Sequence, residues 1–195
     1  MSFSKTNIYN IALNNLGVSA PILSDNQSDA RTQLLNNYWE LARDTVLEAH
    51  DWNFAVAYKK LSTTVDCDDP RWNYAFAYPN DCISPRAIIE PNELKEKKFD
   101  FSTNSAGEKI ILTNINPVIL RYTKRMENES LYTAPFVAAL GFYLAYLSAQ
   151  VITGSNNKKN TNLQDYHISL RNAILTDARK VQIHDEDDKV YTDYR

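Results

Sequence analysis

Three histidines are the side chains of this sequence best suited to acid–base catalysis or metal binding. His50 lies at the C-terminal end of a predicted helix, where the helix dipole favours a cation. His167 lies at the edge of an amphipathic helical pattern, and His184 opens the acidic run HDEDD. That run lacks the glycine-punctuated spacing of a calcium loop. We therefore predict structural or solvated roles for the histidines and no metal or cofactor site.

Motifs with established catalytic chemistry are missing from the sequence. It contains no GxSxG, GxxxxGK[ST], HExxH or GxGxxG pattern. The aspartates of residues 66–69 are interpreted as a polar turn. Carboxylates that are distant in the chain can converge in space, so a hydrolase stays open as an alternative, although no specific pair is marked. The prediction is a protein that is not an enzyme.

Length and composition favour one ordinary folded domain. The chain has 195 residues, enough for a substantial core, and a formal charge of −3. This charge gives no net field that would drive non-specific nucleic-acid binding. The four glycines are too few for a glycine-cradled nucleotide site.

Cys67 and Cys82 are predicted to be reduced thiols. The polar N-terminus has no apolar run of the kind found in a signal peptide, which favours a reducing compartment. No CxxC or Cys/His spacing indicates zinc. A disulfide across the predicted hairpin 54–78 remains an alternative.

The periodicity of apolar residues predicts an α+β fold, an antiparallel helical bundle with an inserted small antiparallel β-meander. A single domain is predicted over residues 1–180, followed by an acidic C-terminal tail, 181–195, that does not fold alone. The β insert covers about 54–123, and helices are predicted at about 5–16, 28–50, 133–153 and 162–180.

Aromatic residues alternate along two segments of the β insert, with a period of two. A sugar platform or a base-stacking face would use the same residue types. We favour a structural role, in which two adjacent strands direct these rings toward one core under the helices. The residues are Trp52, Phe54, Tyr58, Trp72, Tyr74, Phe76 and Tyr78.

The segment 133–153 is apolar nearly all round and carries no charge. Such a helix is buried on several sides or spans a membrane. Its tyrosines are spread along its length rather than gathered at its ends, which favours a bundle helix covered on one side by a neighbouring subunit. The predicted oligomer interface consists of Phe136, Leu140, Tyr143 and Leu147.

Two small basic clusters lie in the β insert. Solvated strand edges are the favoured interpretation, and contact with DNA phosphates or with acidic residues of a neighbour is the alternative. The clusters are Lys95, Lys97 and Lys98, and Arg121, Lys124 and Arg125.

Several stretches in a fixed order carry a family resemblance. IALNNLG is followed by RDTVLEAHDWNFA, WNYAFAYPNDC, PVILRYTKR and APFVAALGFYLAYLSAQVITGS, which together cover roughly residues 4 to 155. This order resembles the head-to-tail adaptor proteins of short-tailed bacteriophages, the tail tubular protein A-like or head-completion proteins.

The resemblance implies a structural virion protein at the head–tail junction, assembled in the host cytoplasm. Its implied partners are the portal protein, a tail nozzle or tail tube protein, and its own copies in a ring of twelve. DNA would pass through the bore without sequence-specific binding, and no membrane or cofactor is implied. In such adaptors a C-terminal extension reaches the portal, and Tyr191 and Tyr194 are the candidate anchors here. A tail-associated cell-wall hydrolase and a membrane-associated phage protein are the alternatives.

Overall fold

The computed structural model describes residues 2–62, 64–67, 69–92 and 95–190, with only the backbone described for 181–190. The chain divides into a helical unit, residues 1–54 and 126–195, and a β unit, residues 55–125. Within the described residues, four α-helices and two four-stranded antiparallel sheets confirm the predicted α+β class.

The helical unit follows the predicted periodicity closely in its first three helices, because three-to-four spacing of apolar residues is a local signal. Ser4 begins the first helix with a capping box, in which Asn7 N–H donates to Ser4 Oγ and Ser4 N–H donates to Asn7 Oδ1. Asp29 caps the second by accepting from Arg31 N–H at 2.8 Å. The helices are α1 (Lys5–Asn15), α2 (Ala30–Glu48), α3 (Ala134–Thr153) and α4 (Asn156–Val190).

Helix α3 is the centre of the helical unit, because α1, α2 and α4 all pack against it. At Gly141 the backbone of α3 comes so close to α1 that an added Cβ would lie 2.6 Å from Ile11 Cγ2. Near the other end of α3, the ring of Phe136 meets the edges or faces of Trp52, Phe54 and Tyr132, with centroids 4.9 to 5.1 Å apart. This cluster is the aromatic core of the unit.

The fourth helix differs most from its predicted bounds. The polar stretch 155–161, which lies between the predicted helices 133–153 and 162–180, is helical from Asn156, so the turn after α3 is only Gly154 and Ser155. Gly154 adopts φ 65°, a left-handed conformation in which glycine has no Cβ to clash. The Lys158 ammonium donates to the Leu16 carbonyl, so a tertiary contact at the end of α1 holds the first turn of α4.

The backbone of residues 181–190 continues α4, where the sequence predicts an acidic tail that does not fold alone. Extending an existing helix adds one hydrogen bond per residue and needs no new nucleation step. The amino-acid composition of the tail alone does not reveal that a helix already precedes it.

The described residues of the β unit form eight strands, whose neighbours are set by long-range pairing. One sheet has the order β1-β8-β4-β5 and the other β2-β3-β7-β6, all antiparallel. The strands are β1 (Val56–Leu61), β2 (Thr64–Val65), β3 (Tyr74–Ala77), β4 (Cys82–Glu90), β5 (Lys95–Lys97), β6 (Phe99–Thr103), β7 (Lys109–Thr113) and β8 (Val118–Lys124).

The two sheets are joined at both lateral edges. Edge strand β1 continues in the chain into β2, an edge of the other sheet, and β5 continues through Lys98 into β6. Side chains of both sheets share one core, which includes Phe76 and Ile111 from one and Ile88 and Leu120 from the other.

The predicted simple meander is therefore wrong in its connectivity. β1 pairs with β8, more than 50 residues later in the chain, and β3 pairs with β7. Alternation within a segment specifies which side chains share a face, but it contains no information about which distant segment lies alongside.

The predicted pair of aromatic strands also needs correction. Trp52 lies before β1, and Phe54 lies in a 3₁₀ turn, Asn53–Ala55; both rings pack in the helical core. Phe76 is buried between the two sheets instead of under helices. Tyr58 of β1 is 62% exposed, so it contributes little to any core.

Candidate assembly surfaces

The predicted interface on α3 is corrected by the burial of its residues. Phe136 and Leu140 are fully buried within the chain, so neither side chain is available to a second copy. Phe136 fills the aromatic core, a role that helical periodicity could not distinguish from an outward stripe. Tyr143 and Leu147 are half-buried.

Tyr143 faces another helix of its own chain. Its ring lies 4.6 Å from the ring of Tyr166 on α4 and 5.7 Å from that of Tyr146 on α3. Burial raises the pKa of Tyr166 to about 12, as expected for a phenol removed from water. Tyr143 therefore serves mainly to pack α3 on α4.

A first apolar surface lies where the C-terminal end of α3 meets the start of α2. Val151 of α3 is 66% exposed at a groove of about 280 Å³. Arg31 is the charged residue of its lining, and its guanidinium is already bound to the Asp29 carboxylate at 2.5 Å. We call this surface the Val151 groove; its lining consists of Val18, Ala30, Arg31, Leu34, Val151 and Ile152.

A second apolar surface lies between the N-terminal half of α3 and the middle of α4. Ile168 of α4 is 60% exposed beside Phe142 of α3, at a groove of about 410 Å³. We call it the Ile168 groove. Its apolar lining lies mostly on α3, and the full lining consists of Pro135, Ala138, Phe142, Asp165, Ile168, Ser169, Asn172 and Thr176. From residues 135–142 to residue 151, α3 rises by roughly 14 to 24 Å at 1.5 Å per residue. The two grooves are therefore separate surfaces of one helical unit.

The end of α2 is joined to α4 by a buried carboxylate. Asp177 is 4% exposed, and its Oδ2 accepts from Asn53 N–H at 3.0 Å. His50 Nε2 lies 3.6 Å from the same oxygen, and its ring packs edge-on against Trp52 at 5.0 Å. The predicted structural role of His50 thus has a specific partner. The sequence pattern did not mark Asp177 as a functional or structural site, because its position is typical of the polar face of an amphipathic helix.

The remaining candidate ligands whose side chains are described do not gather into a site. Across the residues with described side chains, no group of three His, Cys, Asp or Glu side chains is placed to hold a metal ion. His167 is exposed beside Tyr166. The Arg71 guanidinium holds the pKa of Asp69 down at about 2. Asp68, Tyr191 and Tyr194 lie outside the described residues, as does the side chain of His184.

Both cysteines carry free thiols and are half-buried. Cys67 Sγ–H contacts the carbonyl oxygens of Asp69 and Trp72 at 3.4 Å. Burial raises the pKa of the Cys82 thiol to about 11, which keeps it protonated and weakly nucleophilic at neutral pH.

The basic clusters of the β unit are partly neutralised. Lys124 Nζ lies 3.8 Å from the Asp81 carboxylate. In the other cluster, Lys97 Nζ lies 2.7 Å from Glu90. These pairs agree with solvated strand edges.

Helix α3 is long and apolar enough to cross a membrane, and half of its most apolar stretch is buried inside the chain. The core helix of a soluble protein passes the same test, so this property alone discriminates weakly.

Comparison of the chain with protein-family models and with curated proteins gives no match.

Proposed function

We propose that this chain is a head-to-tail adaptor of a short-tailed bacteriophage, which assembles as a ring between the portal and the tail. The observation that carries the proposal is the pair of separate apolar grooves on one helical unit. A ring of identical subunits needs a heterologous interface, in which two different surfaces of the same chain meet around the circle. The Val151 and Ile168 grooves supply two such surfaces.

The order of the stretches that resemble the adaptor family supports the same assignment. APFVAALGFYLAYLSAQVITGS forms α3, and RDTVLEAHDWNFA forms the end of α2 and the turn that reaches the aromatic core. Both therefore supply the parts of the helical unit around which the rest packs. We also propose that the four helices form an antiparallel bundle.

In the proposed assembly, only part of α3 contributes to the interface between subunits. Its buried face holds each subunit together, and its exposed C-terminal end, around Val151, meets the Ile168 groove of the next subunit. Burial of the apolar surface of both grooves would drive this association. Twelve subunits would match the portal, and DNA would pass through the bore without sequence-specific contacts.

The C-terminal part of α4 is proposed to contact the portal. Beyond Asp177 the helix continues to Val190, roughly 20 Å at 1.5 Å per residue. An arm of this length can project from the packed helices, and Tyr191 and Tyr194 follow it in the sequence as anchors. The tail nozzle or tail tube protein would bind elsewhere on the ring.

The test is to mix the purified chain with its portal and to image the product by electron microscopy. We expect a coaxial ring on the portal for the wild-type chain. Val151→Asp should abolish the ring because it places a charge in an apolar contact. Leu41→Asp is the matched control, since Leu41 is also exposed, at 55%, but lies outside both grooves.

Three results would contradict the proposal. One is a chain that stays monomeric with the portal at all concentrations. Another is a ring that tolerates Val151→Asp and Ile168→Asp as well as it tolerates Leu41→Asp. The third is a purified chain that needs detergent to stay in solution, which would instead favour the membrane-associated alternative based on α3.

A further inference from the structure

The β unit contains a wedge in which two strands that begin as a pair separate. β2 pairs with β3 through Thr64 opposite Phe76 and Val65 opposite Ala75. The same register, continued toward the N-terminus, would place Ser62 opposite Tyr78 and Lys60 opposite Asn80. Instead a cavity of about 410 Å³ lies between these two segments, lined by Lys59 to Ser62 on one side and Ala77 to Asp81 on the other.

Pro79 accounts for the end of the ladder. Proline has no backbone N–H and cannot donate to a neighbouring strand, so pairing opposite Leu61 is lost at this position. The chain then turns into β4, and Cys82 N–H donates to the Pro79 carbonyl at 3.0 Å. β1 is thus left as an edge strand of its sheet, and within the described residues no strand pairs with its second edge.

The walls of this wedge are cationic. Lys59 and Lys60 are exposed on β1, and a second cavity of about 590 Å³, on the other side of residues 77–80, adds Lys109 and Arg125. Lys109 Nζ lies over the ring of Tyr78, 5.6 Å from its centroid.

The two carboxylates of these walls are already engaged. Asp81 accepts from the Tyr122 hydroxyl at 3.2 Å and lies 3.8 Å from Lys124 Nζ. Glu108 accepts from Asn104 Nδ2 at 3.1 Å. Asp81 is thus shared with Lys124, whereas Glu108 keeps its charge. The cations Lys59, Lys60, Lys109 and Arg125 still outnumber these two carboxylates, so the walls of the two cavities are positive on balance.

The charge of the whole β unit agrees with this local picture. Residues 55–125 contain 11 Lys and Arg against 9 Asp and Glu, a formal charge of +2, in a chain whose net charge is −3. A segregation of charge of this kind favours a partner of opposite sign at the basic part.

We propose that the wedge binds an extended, acidic segment of a partner protein, which adds to the free edge of β1 as a further antiparallel or parallel strand. Strand addition uses main-chain hydrogen bonds for affinity and side-chain contacts for specificity. The backbone groups of Lys59 to Ser62 are spaced for an extended polypeptide, whereas a nucleic-acid duplex has no row of peptide N–H and C=O groups at that spacing. The inference concerns the isolated chain and does not depend on the ring.

The probe for the test is a fluorescein-labelled heptapeptide that alternates glutamate with valine and threonine. It is compared with three ligands: the same peptide with lysine for glutamate, the acidic peptide with alternate amides N-methylated, and a short DNA duplex. Binding is measured by fluorescence anisotropy. Backbone amide exchange of residues 59–62 is followed in parallel, because strand pairing protects amides and simple charge attraction does not.

The acidic peptide should bind and slow amide exchange along β1, and the lysine and N-methylated peptides should not. Lys59→Glu/Lys60→Glu should weaken binding by about tenfold or more, since it reverses charges at the contact. Lys95→Glu/Lys98→Glu is the control, because it changes the charge of the same unit equally but away from the wedge. If Lys59→Glu/Lys60→Glu lowers the melting temperature of the protein, Lys59→Gln/Lys60→Gln removes the same two charges without reversing them and provides the comparison instead.

Equal weakening by the control variant, or undiminished binding of the N-methylated peptide, would overturn the proposal in favour of general charge attraction. Preferential binding of the duplex, lost in Lys59→Glu/Lys60→Glu, would make the wedge a nucleic-acid site. Absence of binding to any probe would mean that Lys59 and Lys60 only protect an exposed edge from aggregation.

Discussion

Asp177 and Asn53, 124 residues apart in the sequence, hold each other through two hydrogen bonds. The Asn53 backbone N–H donates to Asp177 Oδ2, and Asn53 Nδ2 donates to the Asp177 carbonyl, both at 3.0 Å. Because Asp177 is buried, its carboxylate has little access to solvent if this partner is lost. The pair fixes α4 to the chain that leaves α2.

Replacing Asp177 should therefore cost stability. Asp177→Ala removes the buried carboxylate that accepts from the Asn53 backbone N–H, and we expect the free energy of unfolding to fall by about 1.5 to 3 kcal/mol, as for a hydrogen bond to a charged group. Chemical denaturation monitored by circular dichroism measures this. Asp165→Ala is the matched control, because Asp165 is only half-buried and lines the open Ile168 groove. Equal stability of the two variants would show that the pair with Asn53 is not a significant contact.

Gly141 is expected to be essential for the approach of α1 to α3. An alanine there gains about 1 kcal/mol of helix propensity, but its Cβ would sit 2.6 Å from Ile11 Cγ2. That methyl is attached directly to Ile11 Cβ, so it has little freedom to move out of the contact. We therefore expect the cost of overpacking, about 1 to 3 kcal/mol, to outweigh the gain in helix propensity. Gly141→Ala should therefore lower the melting temperature.

The double-mutant cycle with Ile11→Ala provides the control for this prediction. In the Ile11→Ala background the clash is removed, and Gly141→Ala should become neutral or stabilising. Additive effects of the two substitutions would contradict the proposed contact.

Stability should decline at alkaline pH as buried tyrosines ionise. Burial, with a further contribution from the nearby Asp81 carboxylate, raises the pKa of Tyr122 from 10.0 to about 12. A raised pKa means that the folded state favours the neutral phenol. This contribution is fully present below pH 10 and is lost as the pH rises through about 12.

Unfolding free energies measured at several pH values between 9 and 12 test the alkaline decline. Tyr122→Phe should be less stable than the wild type at neutral pH by about 1 kcal/mol, because a hydrogen bond is lost. Its stability should nevertheless fall less steeply above pH 10. An identical slope for the two proteins would contradict the assigned origin.

Removing residues 181–195 should separate folding from attachment. The contact of Tyr166 with Tyr143 on α3 and the Asp177 contact both precede residue 181, so we expect the truncated chain to keep its melting temperature. Under the proposed function its attachment to the portal should weaken, as measured by co-sedimentation. Tyr191→Ala/Tyr194→Ala keeps the helix length and tests the anchors alone. Undiminished portal binding by the truncated chain would exclude this role for the tail.

The sequence by itself determined the α+β class and the approximate bounds of α1 to α3. These are local properties: three-to-four spacing, caps and turn residues act over a few neighbouring positions. Alternation also marked Tyr74 and Phe76 as strand residues correctly, since a period of two is equally local.

Only the tertiary structure decided which segments became neighbours. It paired β1 with β8, turned Phe136 and Leu140 into the chain's own core, and began α4 at Asn156 beside the end of α1. It also gave Asp177 its partner and opened the wedge between Lys60 and Asn80. The physical reason is that periodicity specifies a face of an element, whereas its partner is set by the packing of groups far apart in the chain.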